Sequence, residues 1–380
     1  MYKKITLFIS EMSFCMSMLV GLCLIMTFVS CEKQQTPIVS QPTVISVPLM
    51  SANKVTIDED SVTWLETNDE SLLYDITNLC PMKGGSFVIQ SRGSIFKLFD
   101  KNGKFQRTMA TKGQGPGEFQ YIGNVWAEDT AFYLYDGTIN RLFGYGLNSG
   151  YLGYDTITTP KSEVKGWRPR VEPEEVHIRR DGKGVYYINR FYGSRPYRQR
   201  LAYAQDIHSL PDTIPGRLRL DGHTFWNNIS LVGDGERALF WEALRDTLFM
   251  VTPDTIAPYY VLDYGEYTLP AEVTAIMEPA YRYMAVKDEM EKYVLFNRYF
   301  QAYDGWIYYV TSLEKHGYIV GINEATDTAK VWEFVTPEGR KLLPQLFFKI
   351  NGDKCMLSVI DEEKPESNPG LFVFSMSKLK

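Results

Sequence analysis

The densest chemical potential in the sequence lies in residues 161–200. Lys161, Lys165, Arg168, Arg170, Arg179, Arg180, Lys183, Arg190, Arg195, Arg198 and Arg200 face only Glu163, Glu172, Glu174, Glu175 and Asp181, a local net charge of +6. Planar guanidinium forks match carboxylate, sulfate or phosphate oxygens, and aromatic rings offer faces on which sugars stack. Trp167, Arg168, Arg170, Tyr192, Arg195, Tyr197 and Arg198 are therefore the candidate ligand-binding residues, and an anionic ligand such as an acidic glycan is the expected class. The plainer alternative is a solvated loop rim whose acids pair with neighbouring bases.

Other catalytic signals are missing. His177, His208, His223 and His316 lie far apart in the chain with no HxH or HExxH spacing, so no metal site is expected. No GxSxG nucleophile motif occurs, and Gly113-Gln114-Gly115-Pro116-Gly117 lacks the Lys-Ser/Thr ending of a phosphate loop. Its glycines and proline suit a crossing between structural units, with Glu118 pairing to a nearby donor. Acidic pairs such as Asp234 and Glu236 serve glycoside hydrolysis only at the right separation in space, and solvated turn acids are the simpler reading. No cofactor and no catalytic residue are assigned.

Around these residues the chain is organised by strands. Ile95, Lys97 and Phe99 alternate with Phe96, Leu98 and Asp100, the period of two that a strand requires. Asp100-Lys101-Asn102-Gly103 then reads as a hairpin turn, because Asp and Asn bond their own backbone and Gly accepts positive φ. Six comparable strand starts recur at Ser86, Ala131, Gly184, Arg237, Gly305 and Lys354, spaced by 45, 53, 53, 68 and 49 residues. Such intervals suit four-stranded blades with loops, where regular propeller repeats run to about 40–50 residues. The 25 Tyr, 21 Phe and 7 Trp are mostly what such blade faces demand. In the 68-residue interval, alternation lapses between Pro270 and Arg298. Pro279 suits a first helical turn, and apolar residues from Tyr283 to Phe296 recur at spacings of three and four. The expected fold is all-β, a six-bladed β-propeller with a short helical insertion near residues 278–298. A sandwich or two unrelated β domains is the alternative.

Phe99-Asp100-x-x-Gly103-Lys104-Phe105 followed by Gly113-Gln114-Gly115-Pro116-Gly117-Glu118-Phe119 resembles the six-bladed β-propeller lipoproteins of Gram-negative bacteria, relatives of the NHL-repeat and TolB-like propellers. The likeness is sharpest over the first two units. It implies a fold and a cell-envelope location, and it carries over no catalytic residue.

The N-terminus agrees with that location. Lys3 and Lys4 precede an apolar run ending at Phe28-Val29-Ser30-Cys31, which reads as a lipoprotein signal peptide over residues 1–30 with lipid attachment at Cys31. An uncleaved helix or a plain secretory peptide is the alternative, although Glu11 leaves the run short for a span of about 20 residues. Residues 31–53 are polar and proline-punctuated, and are expected to be a flexible tether to a single propeller domain over residues 54–380. Loss of residues 1–30 leaves 38 cationic and 45 anionic side chains, a net charge of −7, which argues against nucleic-acid binding. Only Cys80 and Cys355 remain in the domain, so a disulfide framework is excluded, while a single bridge or two buried thiols stay open. The expectation is a monomeric binding or scaffold protein of the envelope, anchored by lipid, most simply in the outer membrane, for a glycan or an envelope protein. A lyase or hydrolase with its site at the central channel is the alternative.

Overall fold

Three short strands come first in the computed structural model: β1 (Thr43–Ser46), β2 (Asn53–Thr56) and β3 (Val62–Trp64). The remaining strands run in sets of consecutive antiparallel neighbours. The first set is β4 (Ile76–Pro81), β5 (Phe87–Ser91), β6 (Ile95–Phe99) and β7 (Phe105–Thr111). The second is β8 (Asn124–Glu128), β9 (Ala131–Asp136), β10 (Arg141–Gly146) and β11 (Gly150–Thr156), and the third is β12 (Pro173–Ile178), β13 (Val185–Asn189), β14 (Leu201–Ala204) and β15 (Asp212–Thr213). The fourth is β16 (Ile229–Asp234), β17 (Arg237–Glu242), β18 (Thr247–Thr252) and β19 (Thr255–Asp263). The fifth is β20 (Asn297–Tyr303), β21 (Trp306–Leu313), β22 (His316–Asn323) and β23 (Thr328–Val335), and β24 (Lys341–Asn351), β25 (Lys354–Ile360) and β26 (Gly370–Ser375) follow as the sixth. The structure describes residues 41–73, 76–91, 95–128, 130–158, 173–178, 184–189, 201–214, 229–234, 237–242, 246–276, 290–314, 316–351, 353–360 and 367–379.

The first three sets are separate four-stranded sheets. The fourth gains β1 as a parallel fifth strand beside β19, with Ile45 opposite Leu262. The fifth and sixth share one ladder through β23 and β24, where β2 runs parallel to β23 and β3 closes antiparallel onto β26. In each set the first strand lies beside the first strand of the next, and β24 lies beside β4. That closed succession is a β-propeller. The six starts read from the sequence are β5, β9, β13, β17, β21 and β25, each the second strand of its set and each placed within one residue.

The core sits between successive sets. Val88 and Phe96 meet Phe132 and Phe143 at the first junction; Tyr135 meets Val176 and Tyr187 at the second; Tyr186 and Leu201 meet Phe240 and Val251 at the third. Trp241 meets Phe300 and Tyr309, Tyr308 meets Phe347 and Leu357, and Met356 and Leu371 meet Ile89 and Phe99 to complete the circuit. Second strands are consequently buried on both faces, which is why Phe87–Ser91 is buried at every position. Each such aromatic or aliphatic side chain contributes about 1.5–3 kcal/mol on burial, and stacked pairs such as Phe96 with Phe132, 5.3 Å between centroids, add directional preference.

The predicted hairpin after β6 is present. Asp100 Oδ1 accepts the N–H groups of Asn102 and Lys104 at 2.9 and 3.0 Å, and Gly103 takes φ +78°. One expectation needs correction. The stretch read as tether to residue 53 joins the fold from Thr43, since Ile45, Val47 and Leu49 are buried against the fourth and fifth sets. Most of the helical insertion expected near 278–298 falls on residues 277–289; of what flanks them, α1 is Ala271–Ile276, Met290 has helical backbone, and Asn297 and Arg298 belong to β20. Val294 and Phe296, which follow, pack on the junction of the fourth and fifth sets. Residues 277–289 lie outside the described residues. Cys80 and Cys355 are buried free thiols.

Candidate binding surfaces

The seven ligand-binding residues expected from the sequence, Trp167, Arg168, Arg170, Tyr192, Arg195, Tyr197 and Arg198, lie outside the described residues, as do Cys31, His223 and Glu236. Among the described residues no group of three His, Cys, Asp or Glu side chains is placed to hold a metal ion.

The first strands carry amides and aromatics. Asn78 donates Nδ2 to Gln90 Oε1 on β5 at 2.6 Å, and Asn124 donates Nδ2 to the Val176 carbonyl of the next set at 2.7 Å. Asn297 Oδ1 accepts the Tyr264 hydroxyl at 2.8 Å. On β20 the register slips between Arg298 and Gln301, and Tyr299 sits there at φ +58°, a left-handed conformation unusual for a bulky residue. Its ring packs on the fifth-to-sixth and the sixth-to-first junctions together. The bulge thus turns Tyr299 into a wedge between sets.

Buried charge is used internally. Lys97 Nζ donates to the Glu70 and Leu72 carbonyls at 2.6 and 2.9 Å, and burial holds its pKa below the ordinary lysine value. Asp136, fully buried, accepts N–H groups of Gln120 and Tyr121 on Oδ2 at 2.6 and 3.2 Å and of Thr138 on Oδ1 at 2.9 Å. In the glycine loop Glu118 Oε2 accepts the Gly115 N–H at 2.8 Å, and Phe119 is fully buried, so the loop is a crossing pinned at its end, as its composition predicts. A Cβ on Gly113 or Gly115 would meet the Glu118 carboxylate.

Sequence reasoning missed the exposed aromatic patch. Tyr151 and Tyr154 are 38% and 51% exposed on β11, the outer strand of the second set, while Leu152, 55% exposed, lies over Gly144 and Gly146. The signal was available in Gly-Tyr-Leu-Gly-Tyr: apolar residues at adjacent positions, where a half-buried strand would alternate.

Two solved structures share the fold. A protein of Bacteroides fragilis described as exported is 15% identical, with a TM-score of 0.57 over 88% of this chain and 99% of that one. A member of the DUF4221 family from Bacteroides vulgatus is 10% identical, with a TM-score of 0.51 over 84% of this chain and 97% of that one. No curated protein matches the sequence. Residues 55–367, which run from β2 to just before β26, match the family described as Domain of unknown function (DUF4934), and the chain belongs to that family.

Proposed function

We propose that the protein is a monomeric, six-bladed propeller anchored in the cell envelope by lipid on Cys31, and that it is a binding or scaffold protein whose ligand is an anionic glycan or an envelope partner. The observation that carries the binding reading is the saturation of buried charge: Lys97 and Asp136, the buried charged side chains among the described residues, are spent on backbone carbonyls and amides. Both side chains serve to hold neighbouring loops in place. The location is supported by the signal-like N-terminus and by the exported description of the Bacteroides fragilis neighbour. Among the described residues no helix is long and apolar enough to cross a membrane. The ligand class is supported by the +6 charge of residues 161–200 within an acidic chain, which draws anions locally.

The test has two arms. Cys31→Ser is expected to move the protein from the membrane to the soluble fraction and to abolish lipid labelling. A screen of acidic and neutral polysaccharides against the full chain, and against a variant with Arg168, Arg170, Arg195 and Arg198 changed to Ser, is expected to show acidic ligands bound and the variant weakened. Unchanged fractionation refutes the anchor; binding of neutral glycans alone refutes the ligand class; shortening of the polysaccharide favours the lyase or hydrolase reading.

A further inference from the structure

β11 is an edge strand, hydrogen-bonded to β10 on one side. Its register slips at Leu152: Gly144 faces Gly153 and Tyr145 faces Tyr151, so one extra residue stands between them. The bulge places Tyr151 and Tyr154, three positions apart, on the same side. Both lean on the buried Phe143, with ring centroids 6.2 and 6.0 Å away. Without the extra residue the two rings would point to opposite faces.

Each ring is braced from behind. Gly117, at φ +76° in the glycine loop, lets Tyr151 lie against the backbone, since a Cβ there would sit 2.8 Å from Tyr151 Cγ. The Tyr145 hydroxyl fixes that loop by donating to the Gly117 carbonyl at 3.1 Å. Tyr154 is braced by Arg141, whose guanidinium carbon is 4.1 Å from the ring centroid. The Arg141 guanidinium makes no hydrogen bond and no ion pair among the described residues. The acids beside it in the sheet are engaged elsewhere: Asp136, directly opposite on β9, accepts the backbone N–H groups of Gln120, Tyr121 and Thr138, and Asp155 on β11 has its carboxylate 3.6 Å from His208 Nε2. The ledge therefore combines two exposed rings held rigid with one positioned cation that has no carboxylate of its own.

Two occupants of such an edge are disfavoured by its backbone. Gly150 and Gly153 stand at φ +73° and +120°, and the bulge interrupts the ladder, so the edge is a poor template for an added peptide strand or for a second copy paired edge to edge. Exposed rings stack on sugar faces, and an arginine pinned on a ring presents its remaining donors to a carboxylate or sulfate. We infer that the β11 ledge, Tyr151, Tyr154 and Arg141, is a binding subsite for an acidic saccharide. The inference rests on the anionic-glycan reading above and assigns it a second place on the molecule, outside residues 161–200.

The experiment titrates the full chain in detergent with polygalacturonate, heparin and dextran, reading intrinsic fluorescence and affinity-gel mobility. The expected result is binding of an acidic polymer, weakened about tenfold by Tyr154→Ala or Arg141→Gln, the loss expected of one stacking or bidentate contact. Arg141→Lys, which keeps charge without the planar fork, is expected to fall between. All three variants should keep the thermal midpoint, because the side chains changed are at the surface. If an acidic polymer binds and only the residues 161–200 variant weakens, the ledge is refuted and the glycan reading stands. If no acidic polymer binds, both fall. If Tyr151→Ala with Tyr154→Ala instead turns a dimer into a monomer in sedimentation, the ledge is a contact between copies and the inference is overturned.

Discussion

Two aspartates do similar work at different depths. Asp136 ends β9 fully buried and accepts three backbone N–H groups, from Gln120, Tyr121 and Thr138; half-buried Asp100 accepts two, from Asn102 and Lys104, at the tip of the β6–β7 hairpin. Removing an acceptor at the surface lets water replace it, whereas a buried donor loses its partner outright. Asp136→Ala is therefore expected to destabilise by about 3 kcal/mol, and Asp100→Ala by about 1 kcal/mol. Urea denaturation at neutral pH measures both. Equal losses would mean that Asp136 is reached by solvent and that its three amides do not depend on it. The contrast also shows what sequence discloses at this scale. Asp100 was legible because its partners follow it within four residues, while the Asp136 pairing with Gln120 runs backwards across a whole strand.

At the scale of elements, sets four and five are joined by more than apolar contact. Arg237 at the start of β17 grips Glu324, in the turn after β22, with its Nη1 and Nη2 atoms 2.8 and 2.9 Å from the two carboxylate oxygens, and the Tyr259 hydroxyl of β19 donates to Oε1 at 2.8 Å. Burial alone would raise the Glu324 pKa; the Arg237 pair and the Tyr259 hydroxyl outweigh it and hold the group below the usual carboxylate range. A carboxylate whose folded pKa is depressed stabilises the fold fully above its unfolded pKa, about 4.3, and loses that contribution as pH falls through the folded value. The urea midpoint of Glu324→Gln should accordingly lie below wild type at neutral pH, and the gap should close on acidification past the ordinary glutamate range. A gap that stays constant with pH would mean that the carboxylate charge plays no part. Second strands such as β21 were legible because they are continuous apolar and aromatic runs buried on both faces. β1 was not, because it is a four-residue edge that becomes a strand only beside a partner more than 200 residues away. The β11 ledge was legible only in part: adjacent apolar residues mark an exposed strand, but the facing of Tyr151 and Tyr154 depends on a bulge that residue spacing does not reveal.

The whole propeller is held by its N-terminal strap. β1 pairs with the fourth set, β2 with the fifth and β3 with the sixth, so one stretch of about twenty residues crosses three sets before the first set begins. Asn368 then ties the strap to the sixth set: its Nδ2 donates to the Glu66 and Ser71 carbonyls at 2.6 and 3.1 Å, its Oδ1 accepts the Leu73 N–H at 2.7 Å, and its own N–H reaches Thr67 Oγ1 at 3.0 Å. Glu66 carries the connection into the first set by accepting the Phe105 N–H at 2.9 Å. An open array of repeats can fray from its ends, because each unit is stabilised only by its neighbours; a strapped ring has no free end from which to begin. The two thiols report on this directly, since Cys80 is buried at the first-to-second junction and Cys355 at the fifth-to-sixth. Burial pushes the Cys80 pKa up to about 12 and raises that of Cys355 as well, so neither is a reactive thiolate while the fold is intact. In native buffer both should resist a disulfide-exchange reagent, and with increasing urea both should become reactive at one common midpoint. Asn368→Ala, which strips the strap of its hydrogen bonds, should lower that midpoint for both thiols by an amount equivalent to about 3 kcal/mol. Reaction of Cys355 well before Cys80 in the wild-type chain would mean that the sets come apart singly, and that the strap decorates the ring without closing it.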